Sequence, residues 1–311
     1  MKKMGNGDLM KQTKGMIIKG SGGLYDILCE DGKLISCRAK GVFRHEAICP
    51  TVGDRVSLSF DSLDNPVIEK IEQRKNLLIR PSLANLDKLF ILIPSSRPSP
   101  DYFTVDKLSA IAAHNSIEVI MVISKCLLDT EKASQAEQIY KKSAHRVFVT
   151  DSHKDVGCKE LLDYLSIHCQ GQICAFAGAS GVGKSTLLNR LFPELSLSTG
   201  EVSQKTGRGR HTTRTVELFK TDKGFFIADT PGFTLLDFEH FDFFALEDLV
   251  DAFIEFAPYV GKCRYTKCTH VKEEGCAIVE AVAAGELSQS RHASYIALRD
   301  ILKNKQPWKK K

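Results

Sequence analysis

Gly178-Ala179-Ser180-Gly181-Val182-Gly183-Lys184-Ser185-Thr186 is the stretch on which the reading of this chain turns. It fits G-x-x-x-x-G-K-[ST] and sits where that pattern has a mechanism, between an apolar strand, Ile173 to Ala177, and a helix starting near residue 184. Glycines at these positions let successive backbone N–H groups curl around an anion at a helix N-terminus. Lys184 is placed to reach the β- and γ-phosphates of a nucleotide, and Ser185 to set its hydroxyl on Mg²⁺. The nine residues predict a nucleoside-phosphate site.

Outward from this loop the period alternates. Apolar segments LFILI (89–93), VIMVI (119–123), RVFV (146–149) and ICAFA (173–177) are separated by helical patterns near 104–114, 131–143, 158–168 and 184–192. Such alternation predicts a parallel sheet covered on both faces. TVELFK (215–220) and GFFIAD (224–229) then flank Thr221-Asp222-Lys223-Gly224, a hairpin signal. The second of these ends in Asp229-Thr230-Pro231-Gly232. An Asp at a strand end suits a water-mediated Mg²⁺ contact, and the Gly232 N–H suits sensing of a γ-phosphate. That order points to a GTPase; a small-molecule kinase would leave the regions on either side without a purpose. A base-reading N/T-K-x-D loop is expected next, and nothing after Gly232 fits. The candidate lies upstream, in Ser124-Lys125-Cys126-Leu127 behind the strand VIMVI, so the order base loop, phosphate loop, Mg²⁺ strand is circularly permuted. Lys125 is expected to pack along base and ribose. Ser124 and Leu127 depart from the Asn and Asp of the pattern, and Leu127 accepts no hydrogen bond; Asp129 reaches the base only if the loop reshapes.

Before the alternating region, GMIIKG (15–20), LYDILC (24–29), KLISCRAKG (33–41), DRVSLSF (54–60) and PVIEKIE (66–72) are short, strand-like and broken by Gly, Asp and Pro. They predict a small five-stranded barrel, for which the oligonucleotide-binding type is one candidate. Arg38, Lys40, Arg44 and His45, with Tyr25 and Phe43, are either a phosphate- and base-contacting face or an ordinary solvated one. Beyond about residue 238 the chain is helical and cysteine-rich. Cys263, Cys268, His270 and Cys276 offer three thiolates and an imidazole within 14 residues, a set suited to one structural, tetrahedral Zn²⁺. Seven other cysteines are scattered, as expected of small buried hydrophobes in a reducing compartment. Net charge is +4 over residues 1–80, −5 over 81–256 and +6 over 257–311, so both ends are candidates for contact with a polyanion. Apolar runs fall far short of the ~20 residues of a membrane span, and no signal peptide is visible, so a cytoplasmic protein without membrane attachment is expected.

The segments KNLLIRPSLANLDKL (75–89), GASGVGKST (178–186), GRGRHTT (207–213), DTPGF (229–233), CRYTKCTHVKEEGC (263–276) and RHASYIALRDIL (291–302) together resemble the ribosome small subunit-dependent GTPase A family, over nearly the whole chain. The resemblance implies a multi-domain α/β protein: a barrel over 1–75, a circularly permuted GTPase domain over 76–237 and a helical zinc-binding domain over 238–311. It implies GTP hydrolysis to GDP and phosphate, stimulated by the small (30S) ribosomal subunit, with rRNA as the bound polyanion, in late subunit maturation, by a monomer. It places a switch at 207–213, where Thr212 or Thr213 closes on Mg²⁺ and the γ-phosphate. Phe233 stands where other GTPases carry a water-orienting Gln. His211 is therefore the nearest polar candidate to orient water, or alternatively an RNA contact or a packing residue. The base-loop departures keep a second reading open, an RNA-binding assembly factor whose pocket has relaxed base selectivity or little turnover.

Overall fold

The computed structural model describes residues 13–45, 48–61, 63–79, 81–195, 216–229 and 243–305, with Arg44, His45 and Asp229 described in backbone only. These residues form two compact units, one built from the described part of 1–86 with 216–219, the other from the rest.

In the first unit, β1 (Thr13–Ser21), β2 (Leu24–Cys29), β3 (Leu34–Ala39), β4 (Arg55–Phe60) and β5 (Pro66–Ile71) carry alternating apolar residues. Antiparallel pairs β1–β2, β2–β3, β4–β5 and β1–β4, with a parallel β3–β5 pair, close the five strands into a ring. Closure leaves no free edge within the ring. Ile17, Ile27, Leu58 and Ile68 fill the interior completely. The short helix α1 (Val42–His45) follows β3, and the strand pair β6 (Leu77–Leu78) and β7 (Leu83–Ala84) follows the barrel. Arg74 clamps the buried carboxylate of Asp54 through Nε (2.7 Å) and Nη2 (2.8 Å). The adjacent Gly53 has φ +91° and lies so close to the Ala84 carbonyl that a Cβ would sit 2.1 Å from its oxygen.

The expected basic and aromatic face of the barrel is split. Tyr25 alternates in step with buried Ile27 and Cys29 and stands opposite buried Cys37, whereas Arg38 stands opposite Leu24 on the outer face. Phe43 is buried in the core, and Lys40 is paired with Glu69 at 2.8 Å. The helix turn after β3 directs Phe43 inward, which the strand alternation alone does not indicate.

The second unit is a parallel sheet in the order β10-β9-β8-β11-β13, with β8 (Lys88–Pro94), β9 (Glu118–Ser124), β10 (Arg146–Val149), β11 (Ile173–Ala177) and β13 (Phe226–Asp229). The intervening strand β12 (Glu217–Lys220) pairs with β1, and the turn at Thr221–Gly224 leads into β13. Helices α2 (Tyr102–His114) and α3 (Thr130–Lys141) pack on β8–β10, while α4 (Cys158–His168) and α5 (Lys184–Leu191) pack on each other. With both faces covered, the strands are continuous apolar runs. Phe90 stacks on Phe176 at 4.8 Å within a cluster that includes Leu92, Leu161, Leu165, Leu187 and Leu191. Each such side chain, fully buried, contributes about 1.5–3 kcal/mol.

Beyond the sheet come α6 (Leu249–Ala252), α7 (Ala277–Ala283) and α8 (Gln289–Asn304), in the same unit. Arg291 of α8 is wholly buried, bidentate to Glu255 at 2.7 and 3.0 Å, and bonded through Nη1 to Asp106 Oδ1 (2.9 Å) and Ser109 Oγ (2.7 Å) of α2. No helix among the described residues is long and apolar enough to cross a membrane.

Candidate nucleotide and metal sites

The parallel sheet delivers its loops to one edge. Residues Ile173, Cys174 and Ala175 of β11 are level with Phe226, Ile227 and Ala228 of β13, so the loop from Gly178 and the strand-terminal Asp229 emerge side by side at the carboxyl ends of neighbouring strands. This edge is where open α/β sheets bind ligands. From β11 the chain turns through Gly178, Gly181 and Gly183, all at positive φ, into α5. A Cβ on Gly178 would lie 3.0 Å from both the Leu92 carbonyl and a Val182 methyl, and Gly183 at +98° is the helix N-cap. Gly183 has no side chain with which to cap α5. Val182 is buried and anchors the loop, while Ala179, Ser180 and Gly181 face solvent and Lys184, Ser185 and Thr186 are half-buried.

The Ser124–Leu127 segment meets this loop directly. Ser124, almost fully buried, donates from Oγ to the Val182 carbonyl at 2.7 Å. Lys125, at φ +57°, donates from Nζ to the carbonyls of Gly181 and Arg97, each at 2.6 Å. Residues 58 apart in sequence are thereby tied across the loop. Cys126 is buried, its N–H bonded to the Thr150 carbonyl, and the Thr150 hydroxyl reaches back to the Ile123 carbonyl. Leu128 N–H closes a turn on Lys125 O that leaves Leu127 half-exposed at its tip. The partners Arg97 and Thr150 escape a reading of the sequence because they act through main-chain carbonyls that no residue type marks. Of the remaining nucleotide candidates, Asp229 is described in backbone alone, and His211, Thr212, Thr213, Gly232 and Phe233 lie outside the described residues.

The second site is a loop folded upon itself. The ligand atoms of Cys263, Cys268, His270 and Cys276 all lie within 4.8 Å of one another. His270 Nδ1 is 3.5 Å from the sulfurs of both Cys263 and Cys276, which are 3.8 Å apart. The surrounding residues fix this arrangement. His270 sits at φ +58° with its carbonyl bonded to His292 Nε2, and Tyr295 bonds the Thr269 carbonyl. Glu273 accepts from the N–H groups of Thr269, Val271 and Lys272 and from the Thr269 hydroxyl. Burial alone would raise the Glu273 carboxyl, but these bonds hold it down to about 2, fully ionised at neutral pH. Three thiolates and an imidazole converging, with no further His, Cys, Asp or Glu in the group among the described residues, fit a closed, tetrahedral metal site.

Comparison with known proteins agrees with this geometry. The profile of the RsgA GTPase family matches residues 71–239, and that of the RsgA N-terminal domain residues 14–68. A protein of Ruminiclostridium cellulolyticum named small ribosomal subunit biogenesis GTPase RsgA is 36% identical over 293 residues, 93% of this chain and 94% of that protein. A namesake from Caldanaerobacter subterraneus is 38% identical over 300 residues, 96% of this chain and 98% of that protein. Among solved structures, YjeQ from Thermotoga maritima superposes with a TM-score of 0.79 at 32% identity, covering 95% of this chain and all of that one. YloQ, described as a circularly permuted GTPase, superposes at 0.76 with 30% identity, covering 98% and 100%. With its barrel, permuted GTPase fold and Cys₃His cluster, the chain belongs to the RsgA GTPase family.

Proposed function

We propose that this GTPase acts in late maturation of the small ribosomal subunit, binding rRNA and hydrolysing GTP to GDP and phosphate as a cytoplasmic monomer. The observation that carries the nucleotide site is the tie between Ser124, Lys125 and the Gly181–Val182 carbonyls, which joins a phosphate loop to a base loop at one sheet edge. The names of the curated relatives support the ribosomal role. Gly178 to Thr186 would cradle the phosphates through backbone N–H groups, with Lys184 neutralising their charge. Mg²⁺ would be held by Ser185 and Asp229, hard oxygen donors of the type it takes, and would offset charge on the transferred phosphoryl group. Thr212, Thr213 and Gly232 would complete the switch, with His211 orienting water. Cys263, Cys268, His270 and Cys276 would hold one structural Zn²⁺. The basic barrel and the zinc region would both grip RNA, on the boundaries 1–75, 76–237 and 238–311. Phosphate release from GTP, with and without purified small subunits, tests the reading. Slow release alone and a rise of at least about tenfold with small but not large subunits is expected; the same rate in all three contradicts it.

A further inference from the structure

Granted the nucleotide site proposed above, we infer that its base pocket takes adenine as well as guanine nucleotides, because the base loop has no carboxylate to read a purine edge. Guanine selection needs an acceptor for the N1–H and 2-amino group; the same carboxylate repels adenine, whose N1 is itself an acceptor. Both halves of that discrimination are missing at the tip of this loop.

Leu127 occupies the tip, half-exposed, in the turn closed by Leu128 N–H on Lys125 O. The hydrogen-bond donors beside it already have partners. The Ser124 hydroxyl proton goes to the Val182 carbonyl, and the Lys125 ammonium to the Gly181 and Arg97 carbonyls. Two carboxylates stand near. Asp129 is the N-cap of α3: it accepts from the Lys132 N–H at 3.0 Å and pairs with the Lys132 ammonium at 2.9 Å. Swinging it toward a base would uncap the helix and break that pair. Asp151, in the loop that bonds Cys126, is buried and accepts from the N–H groups of His153 and Lys154 through one oxygen. Those bonds hold that oxygen within its own turn. The phosphate loop is unaffected, so what is lost is the choice of base, while nucleotide binding is retained.

Calorimetric titration of the full chain with Mg²⁺-GDP, Mg²⁺-ADP and Mg²⁺-IDP, alongside Leu127→Asp, tests this. The wild-type chain is expected to bind all three with dissociation constants within about tenfold, inosine included because nothing engages the 2-amino group. Leu127→Asp is expected to widen the GDP-over-ADP preference to about 100-fold or more, the scale of two recovered charge-assisted bonds. A wild-type preference for GDP above about 100-fold overturns the inference and leaves the GTPase reading standing. Absence of binding by all three overturns both. A nonselective wild type with an unchanged ratio in Leu127→Asp overturns the assignment to that position.

Discussion

Ser124 is so well buried that no water replaces its hydroxyl if it is removed. Ser124→Ala leaves the Val182 carbonyl short of a donor, at about 1–3 kcal/mol of stability, and loosens the strap on the phosphate loop. Urea titration should show that loss, and GDP affinity should fall with it. His145 is a second residue whose burial has a measurable consequence. Burial, reinforced by the Arg291 charge, pushes its imidazole down to about 3, so it is neutral in the folded protein. An unfolded histidine takes up a proton near pH 6.5. Its contribution to stability is therefore complete above about pH 6.5 and declines as pH falls from there toward 3, by up to about 1.4 kcal/mol per unit. Urea midpoints followed from pH 7 to pH 5 should fall more steeply in the wild type than in His145→Gln; parallel curves would contradict the assignment.

At the scale of elements, the parallel sheet and the barrel strands could be read from the chain almost residue for residue, because burial on both faces writes an apolar run and burial on one writes an alternation. Segments 146–149, 158–168 and 173–177 fall on β10, α4 and α5's preceding strand as expected. Phe43 was less legible: a four-residue helix turns its ring inward, and so short an element leaves no period in the sequence. The phosphate loop was legible because chemistry demands its glycines in order. The carbonyl partners of Lys125 were not, since any residue supplies a carbonyl. The clustering of the Cys₃His side chains was legible from the spacing of the thiols, but Glu273, which organises three N–H groups of that loop, looks in sequence like one more surface acid. Cys268→Ser should release the metal and lower the melting temperature; unchanged zinc by elemental analysis would refute the ligand set.

Across the larger unit, one buried cation ties α8 to α2. Arg291 meets Glu255 and, through α2, Asp106, whose Oδ1 also accepts from the Tyr140 hydroxyl at 3.0 Å. Burial raises the Asp106 carboxyl while Arg291 works to lower it, so removal of the cation strands two carboxylates in the interior. Arg291→Met is expected to cost about 3–5 kcal/mol in urea unfolding. The Cys₃His loop hangs from the same helix through His292 and Tyr295, so the variant is expected to bind added Zn²⁺ more weakly.

On the function proposed, the loop of residues 178–186 holds the phosphates of a nucleotide. The most direct measurement is titration of the wild type and Lys184→Ala with Mg²⁺-GDP under identical conditions. Removing the ammonium that would face the phosphates should weaken binding by at least about tenfold while the fold, followed by circular dichroism, is retained. Equal affinities in the two proteins would contradict it.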